Sequence, residues 1–107
     1  MIDTITITEQ ADRDLRGIYE YIAFELKSPD YAAGQLERLE KSIAGLGEFP
    51  EKFMCYENGA WRDRGLRIML VDNFRVCYIL RKETQTITVI RVLYVGRDID
   101  EQIKHFL

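Results

Sequence analysis

The sequence predicts a two-layer α+β domain: an N-terminal strand plus an αα-hairpin, packed on an antiparallel sheet that ends in a three-strand meander. Three observations predict it. Apolar residues recur at helical spacing between positions 9 and 46, and at strand spacing from position 66 onward. The helical half is broken once, at Ser28-Pro29. The strand half is broken by two short turn signals, Asp72-Asn73 and Lys82-Glu83-Thr84-Gln85.

The elements follow in chain order. Thr4-Ile5-Thr6-Ile7-Thr8 alternates polar and apolar β-branched residues, the pattern of a short strand with one buried face. Over residues 9–27 the period changes. Ala11, Leu15, Ile18, Tyr19, Ile22 and Leu26 form one stripe, with Asp12, Arg13, Asp14, Arg16 and Glu20 mostly off it, so this is a first amphipathic helix. Ser28 is a good N-cap and Pro29 suits a first helical turn, so a second helix restarts there. Its stripe is Ala32, Leu36, Leu39, Ile43 and Leu46; Gly45 and Gly47 weaken its end and Pro50 stops it. Two helices joined so tightly predict an antiparallel hairpin. Residues 48–65 have no clean period and contain Pro50, Asn58-Gly59 and Gly65, which predicts a connecting loop, with Trp61 as a plug over the core edge. Strands are predicted over residues 66–71, 74–80 and 86–95; the last is the longest and most apolar and is expected to be central. Short turns force these three to pair antiparallel. The first strand is expected to join the same sheet, because alone it cannot satisfy its edge groups. Gly96 ends the meander and residues 98–107 predict a short terminal helix, with Asp98 as its cap.

The 107 residues make one domain, 1–107, with no repeat or linker. A 47% apolar and 31% charged composition belongs to a folded chain rather than a disordered tail. No apolar run exceeds five residues and the N-terminus carries no basic-then-apolar leader, so the expectation is a cytoplasmic protein with no membrane segment. Cys55 and Cys77 lack CxxC spacing and His105 stands alone, which gives no metal set; no cofactor is expected. The net charge of −3 argues against a general nucleic-acid binder, but it hides an asymmetry. Residues 1–61 hold 6 basic and 12 acidic side chains, whereas residues 62–107 hold 9 basic, mostly arginine, and 6 acidic. That asymmetry suggests a cationic face on an acidic body.

Strand parity separates Leu66, Ile68 and Leu70 from Arg67, Met69 and Val71, and Phe74, Val76, Tyr78 and Leu80 from Arg75, Cys77 and Ile79. Placing the all-apolar sets under the helices puts Arg67 and Arg75 together on an open face. Arg91, inside an apolar strand, needs either a partner or that open face. Arg97 follows the strand end beside Tyr94, whose ring can pack while its hydroxyl stays wet.

Three segments carry a resemblance. The run Leu66-Arg67-Ile68-Met69-Leu70-Val71-Asp72-Asn73-Phe74-Arg75-Val76-Cys77-Tyr78 resembles a basic strand, a turn and an aromatic-Arg-hydrophobic-x-Tyr strand. Ile90-Arg91-Val92-Leu93-Tyr94-Val95-Gly96-Arg97-Asp98 resembles an "RVL…GRD" ending, and residues 11–22 resemble the matching first helix. Together, over residues 4–107, they are similar to the RelE/ParE superfamily of type II toxin–antitoxin (plasmid stabilisation) toxins. The resemblance implies growth inhibition, neutralisation by a cognate antitoxin, and assembly as a homodimer or a toxin–antitoxin hetero-oligomer. It also implies one of two targets, the ribosome with its mRNA or DNA gyrase. For the ribosome-dependent endoribonucleases it implies a site at Arg67, Arg75, Arg97 and Tyr94, with Arg75 holding the scissile phosphate. Met69 stands where those nucleases carry a second lysine, Asp98 where they are basic, and Lys104 about where they carry a late tyrosine. These departures tip the expectation to a gyrase-directed toxin, with a non-toxic, antitoxin-holding regulator as a further alternative.

Overall fold

The computed structural model describes residues 4–57 and 59–104; His105 lies outside them. Strand β1 (Thr4–Ile7) leads into helix α1 (Glu9–Glu20), which continues as a π-helical turn over Tyr21–Glu25. Helix α2 (Pro29–Ala44) and a 3₁₀ turn follow. Strands β2 (Met54–Cys55), β3 (Leu66–Val71), β4 (Phe74–Arg81) and β5 (Thr86–Tyr94) precede the short helix α3 (Ile99–Ile103). The sheet order is β1-β5-β4-β3-β2. The meander is antiparallel, whereas β1 pairs parallel to β5, Thr4 opposite Thr86 and Ile7 opposite Val89. Strand β5 is interior but β4, not β5, lies in the middle: adding the two-residue β2 beyond β3 shifts the centre. Among the described residues no helix is long and apolar enough to cross a membrane.

Local chemistry explains the joints. Thr8 ends β1 and caps α1 at once: its hydroxyl accepts from the Ala11 N–H (3.1 Å) and donates to the Ile90 carbonyl (3.0 Å), and its N–H bonds Val89. Ser28 occupies the N-cap position of α2, but its hydroxyl turns back to the Leu26 carbonyl instead of capping. The Leu26 N–H reaches the Tyr21 carbonyl, a five-residue step that widens the helix just before Lys27 takes φ 54° and reverses the chain. Early α1 residues Ala11 and Leu15 share a core cluster with late α2 residues Leu39 and Ile43, while Ile22 meets Ala32. The hairpin is therefore antiparallel. Gly65, with φ +78°, enters β3 so close to β4 that a Cβ there would sit 2.8 Å from the Leu80 carbonyl oxygen; only glycine fits.

The sheet buries both faces. Under the hairpin lie Met69, Val76, Tyr78, Leu80, Ile87, Val89 and Val92. The opposite face is not bare, as the sequence reading expected. Leu66, Cys77, Ile79, Ile90 and Leu93 form a second cluster there, closed by Trp61 from the loop and by Ile99 and Ile103 of α3. Trp61 is thus the expected plug, 3% exposed. The parity assignment for β3 was inverted: Met69 and Val71 lie beneath the helices and Leu66 and Ile68 face away. Cys77 is buried in the second cluster, and burial pushes its thiol up to about 12.

Candidate functional site

The register settles where each sequence-predicted residue sits. Arg67 is opposite Tyr78, and Arg75 is opposite Leu70. Directly opposed residues share a face, so Arg67 belongs to the helix-covered face and Arg75 to the other. The expected Arg67–Arg75 pair on one open face does not form. Arg67 instead clamps the chain after α2, its Nη1 donating to the Phe53 carbonyl (2.8 Å) and the Glu51 carbonyl (3.2 Å). Beside it the Tyr78 hydroxyl donates to the Pro50 carbonyl at 2.7 Å, so Tyr78 is core with one satisfied polar end, and its phenol is raised to about 12 by burial. Arg91 is paired. Its guanidinium makes a two-pronged bond to Asp14 of α1 (2.7 and 3.0 Å) and donates to the Gln102 carbonyl of α3 (3.0 Å).

Tyr94 and Arg97 do come together. They line a groove of about 780 Å³ between the hairpin and the end of the sheet, with Asn73, Phe74 and Val92 on the sheet side. Tyr94 meets Phe74 edge-on at 6.1 Å, and Arg97 donates to the Gln102 side chain at 2.8 Å. The helical wall carries residues that the sequence reading did not single out as functional, Tyr21, Leu26 and Tyr31, each more than half exposed. Their signal was available as large apolar groups flanking the Ser28-Pro29 break. The floor is Ile18, Ile22 and Val92, and Arg13 stands at the rim. Such a groove can bury an amphipathic helix far better than it can do acid–base chemistry, since its one carboxylate, Asp14, is committed to Arg91 and the Val92 N–H and its other polar groups are phenols, amides and arginines.

A polar network anchored on one buried side chain fixes the groove's inner end. Gln35, 2% exposed, donates to Asp72 at the β3–β4 turn (3.0 Å), and Arg38 donates to the same oxygen (2.9 Å). Arg38, then Gln35, hold the Asp72 carboxyl below its usual range. A depressed carboxyl contributes stability that is complete above its unfolded value and disappears as pH falls through the folded value. Asp72→Asn is therefore expected to lower the urea midpoint at pH 7, and the gap from the parent is expected to close below about pH 4. A gap that stays constant down to pH 2.5 would show that charge at Asp72 is not what ties the turn to α2.

The ParE toxin family, described as the ParE toxin of the type II toxin–antitoxin system parDE, matches residues 5–99. The chain belongs to the ParE toxin family. This ParE-family chain is also similar in fold to the chromosomal ParDE system from P. aeruginosa, with TM-score 0.70 and 18% identity over 89% of this chain and 97% of that one. It resembles the RelBE2 toxin–antitoxin complex from Mycobacterium tuberculosis, with TM-score 0.61 and 19% identity over 88% and 99% of the two chains. The isolated E. coli RelE toxin gives TM-score 0.60 and 18% identity over 97% and 98%. No curated protein sequence matches. The expected RelE/ParE-like α+β fold is thus present, and the chain is a toxin of a toxin–antitoxin system.

Proposed function

We propose that this ParE-family toxin acts in the cytoplasm by poisoning DNA gyrase through protein–protein contact, and that a cognate antitoxin neutralises it by laying an amphipathic helix in the Tyr21–Tyr31–Tyr94 groove. One observation carries the reading: Arg67 and Arg75 of the implied nuclease site lie on opposite faces of the sheet, and only Tyr94 and Arg97 share a groove. Cleavage by 2′-hydroxyl attack needs a base, an acid and cations around one phosphate. Arg67 is on one side of the sheet, bound to two loop carbonyls, and Arg75 is on the other. Tyr94 has an aromatic neighbour but no acid–base partner among the described residues. A surface that binds a protein needs none of that chemistry, and the groove supplies aromatic anchors with a cationic rim.

The test is induction of the chain with and without its neighbouring antitoxin gene, with mRNA 5′ ends mapped and gyrase-linked DNA breaks assayed in the same cells. DNA breaks with intact mRNA are expected, and the antitoxin should abolish them. Codon-phased mRNA ends without DNA breaks would instead establish a ribosome-dependent endoribonuclease. That second reading is favoured by the meeting of Tyr94 and Arg97 in one groove. Normal growth would leave only an antitoxin-holding regulator.

A further inference from the structure

On the sheet face away from the hairpin, at its β2 edge, Met54, Leu70 and Arg75 lie outside both the groove and the core, beside Ile68 at the margin of the second cluster. Met54 is opposite Ile68, and Leu70 is opposite Arg75, so all four side chains point to that same face. Met54 and Leu70 are 77% and 63% exposed, high for large apolar groups side by side at a sheet edge. Arg75 is half-buried, opposite Leu70 on one side and Leu93 of the second core cluster on the other, and its side chain makes no ion pair or hydrogen bond among the described residues. Its alkyl stem lies among apolar groups while its charge has no counter-ion there.

The backbone beside this patch is also open. The Leu66 carbonyl accepts from the Tyr56 N–H, across the β2 edge. Ladder polarity alternates, so Ile68 and Leu70 aim their N–H and C=O the same way. Strand β2 reaches Ile68 but ends at Met54, because the preceding residues turn away: the Lys52 N–H bonds the Phe49 carbonyl, and Arg67 holds the Phe53 carbonyl. Leu70 therefore presents a donor and an acceptor with no strand against them among the described residues. The adjacent turn carboxylate, Asp72, is already committed to Arg38 and Gln35, which leaves Arg75 uncompensated. The local charge left over is positive.

We propose that this edge is a second docking site, distinct from the groove, for an extended acidic segment of a partner protein. The segment pairs with Leu70 as a short added strand, sets apolar side chains on Met54 and Leu70, and delivers one carboxylate to Arg75. The inference stands whether gyrase or the ribosome is the target. So short a ladder gives few backbone bonds, so the Arg75–carboxylate contact supplies most of the selectivity.

The experiment uses the full chain and two fluorescent peptides, acetylated Val-Thr-Glu-Thr-Val and its lysine counterpart Val-Thr-Lys-Thr-Val, whose first, third and fifth side chains share one face of an added strand, read by fluorescence anisotropy at low salt. The acidic peptide is expected to bind and the basic one not. Arg75→Glu should weaken the acidic peptide by about tenfold or more, and Leu70→Lys should weaken it as well. Arg81→Glu, farther along the same strand, should leave binding unchanged. N-methylation of the peptide's central amide should weaken it several-fold if a strand is added. Equal binding of both peptides, Arg75→Glu binding like the parent, or no anisotropy change up to millimolar peptide would overturn the proposal. Each variant is first checked for a cooperative melt, and Arg75→Gln decides the matter by the same criterion if Arg75→Glu does not fold.

Discussion

Arg91→Ala is expected to destabilise the fold by about 3–5 kcal/mol, the cost of leaving one member of a buried ion pair without the other. The side chains of Arg91 and Asp14 are only 13% and 16% exposed, so water cannot take over when one is removed. Asp14 does more than pair. Past Thr8, strand β5 has lost its β1 neighbour, and the Asp14 carboxylate accepts the Val92 N–H at 2.9 Å in place of a strand. Arg91 in turn donates to the Gln102 carbonyl, so one guanidinium ties α1, β5 and α3 together. The measurement is urea unfolding followed by Trp61 fluorescence, since Trp61 is buried in the cluster that α3 closes. The double change Asp14→Leu with Arg91→Met should recover much of the loss, because both charges leave together. It should not recover all of it, because the Val92 N–H then lacks its acceptor, at about 1–3 kcal/mol. A loss below about 1 kcal/mol for Arg91→Ala, the range of an exposed pair, would sink this account.

This network also shows where the sequence was legible and where it was not. Helix spacing, the Ser28-Pro29 break and the Asp72-Asn73 turn are local signals, and the elements they predicted exist within a few residues. Asp14 looked like a solvated residue beside the α1 stripe because its partner lies 77 positions away. The face of β3 was misassigned for a related reason. Both of its parities are mostly apolar, and the choice depends on what covers the second face. That cover is Trp61 and α3, whose Ile99 and Ile103 mark a helical face without saying which side of the sheet it meets. Once Met69 took the covered side, Arg67 went with it and left Arg75 behind. Tyr21 and Tyr31 were hidden differently. They flank the hairpin turn, and only the π-helical turn and the reversal at Lys27 bring both to the groove that Tyr94 lines from the sheet.

Tyr21→Ala with Tyr31→Ala is expected to weaken binding of the cognate antitoxin by at least about 30-fold, while the toxin keeps its effect on growth. Both rings are 57% exposed, so their loss should change stability by about 0.5 kcal/mol or less each. Tyr31 also lies 5.9 Å from the Arg38 guanidinium, an exposed contact whose removal leaves the Arg38–Asp72 bond in place. In a complex the same rings would be desolvated against an apolar helix face, where a tyrosine anchor contributes about 2 kcal/mol or more, and 2 kcal/mol corresponds to roughly 30-fold in affinity. The two effects separate cleanly in cells. Toxin carrying both changes should still arrest growth when expressed alone, and co-expressed antitoxin should no longer rescue it. Calorimetry on the purified pair gives the affinity directly. Antitoxin that binds and rescues the double variant as well as the parent would move its seat away from the groove. Growth arrest lost together with antitoxin binding would instead mean that the groove is the surface the toxin presents to its target, with the antitoxin acting by covering it.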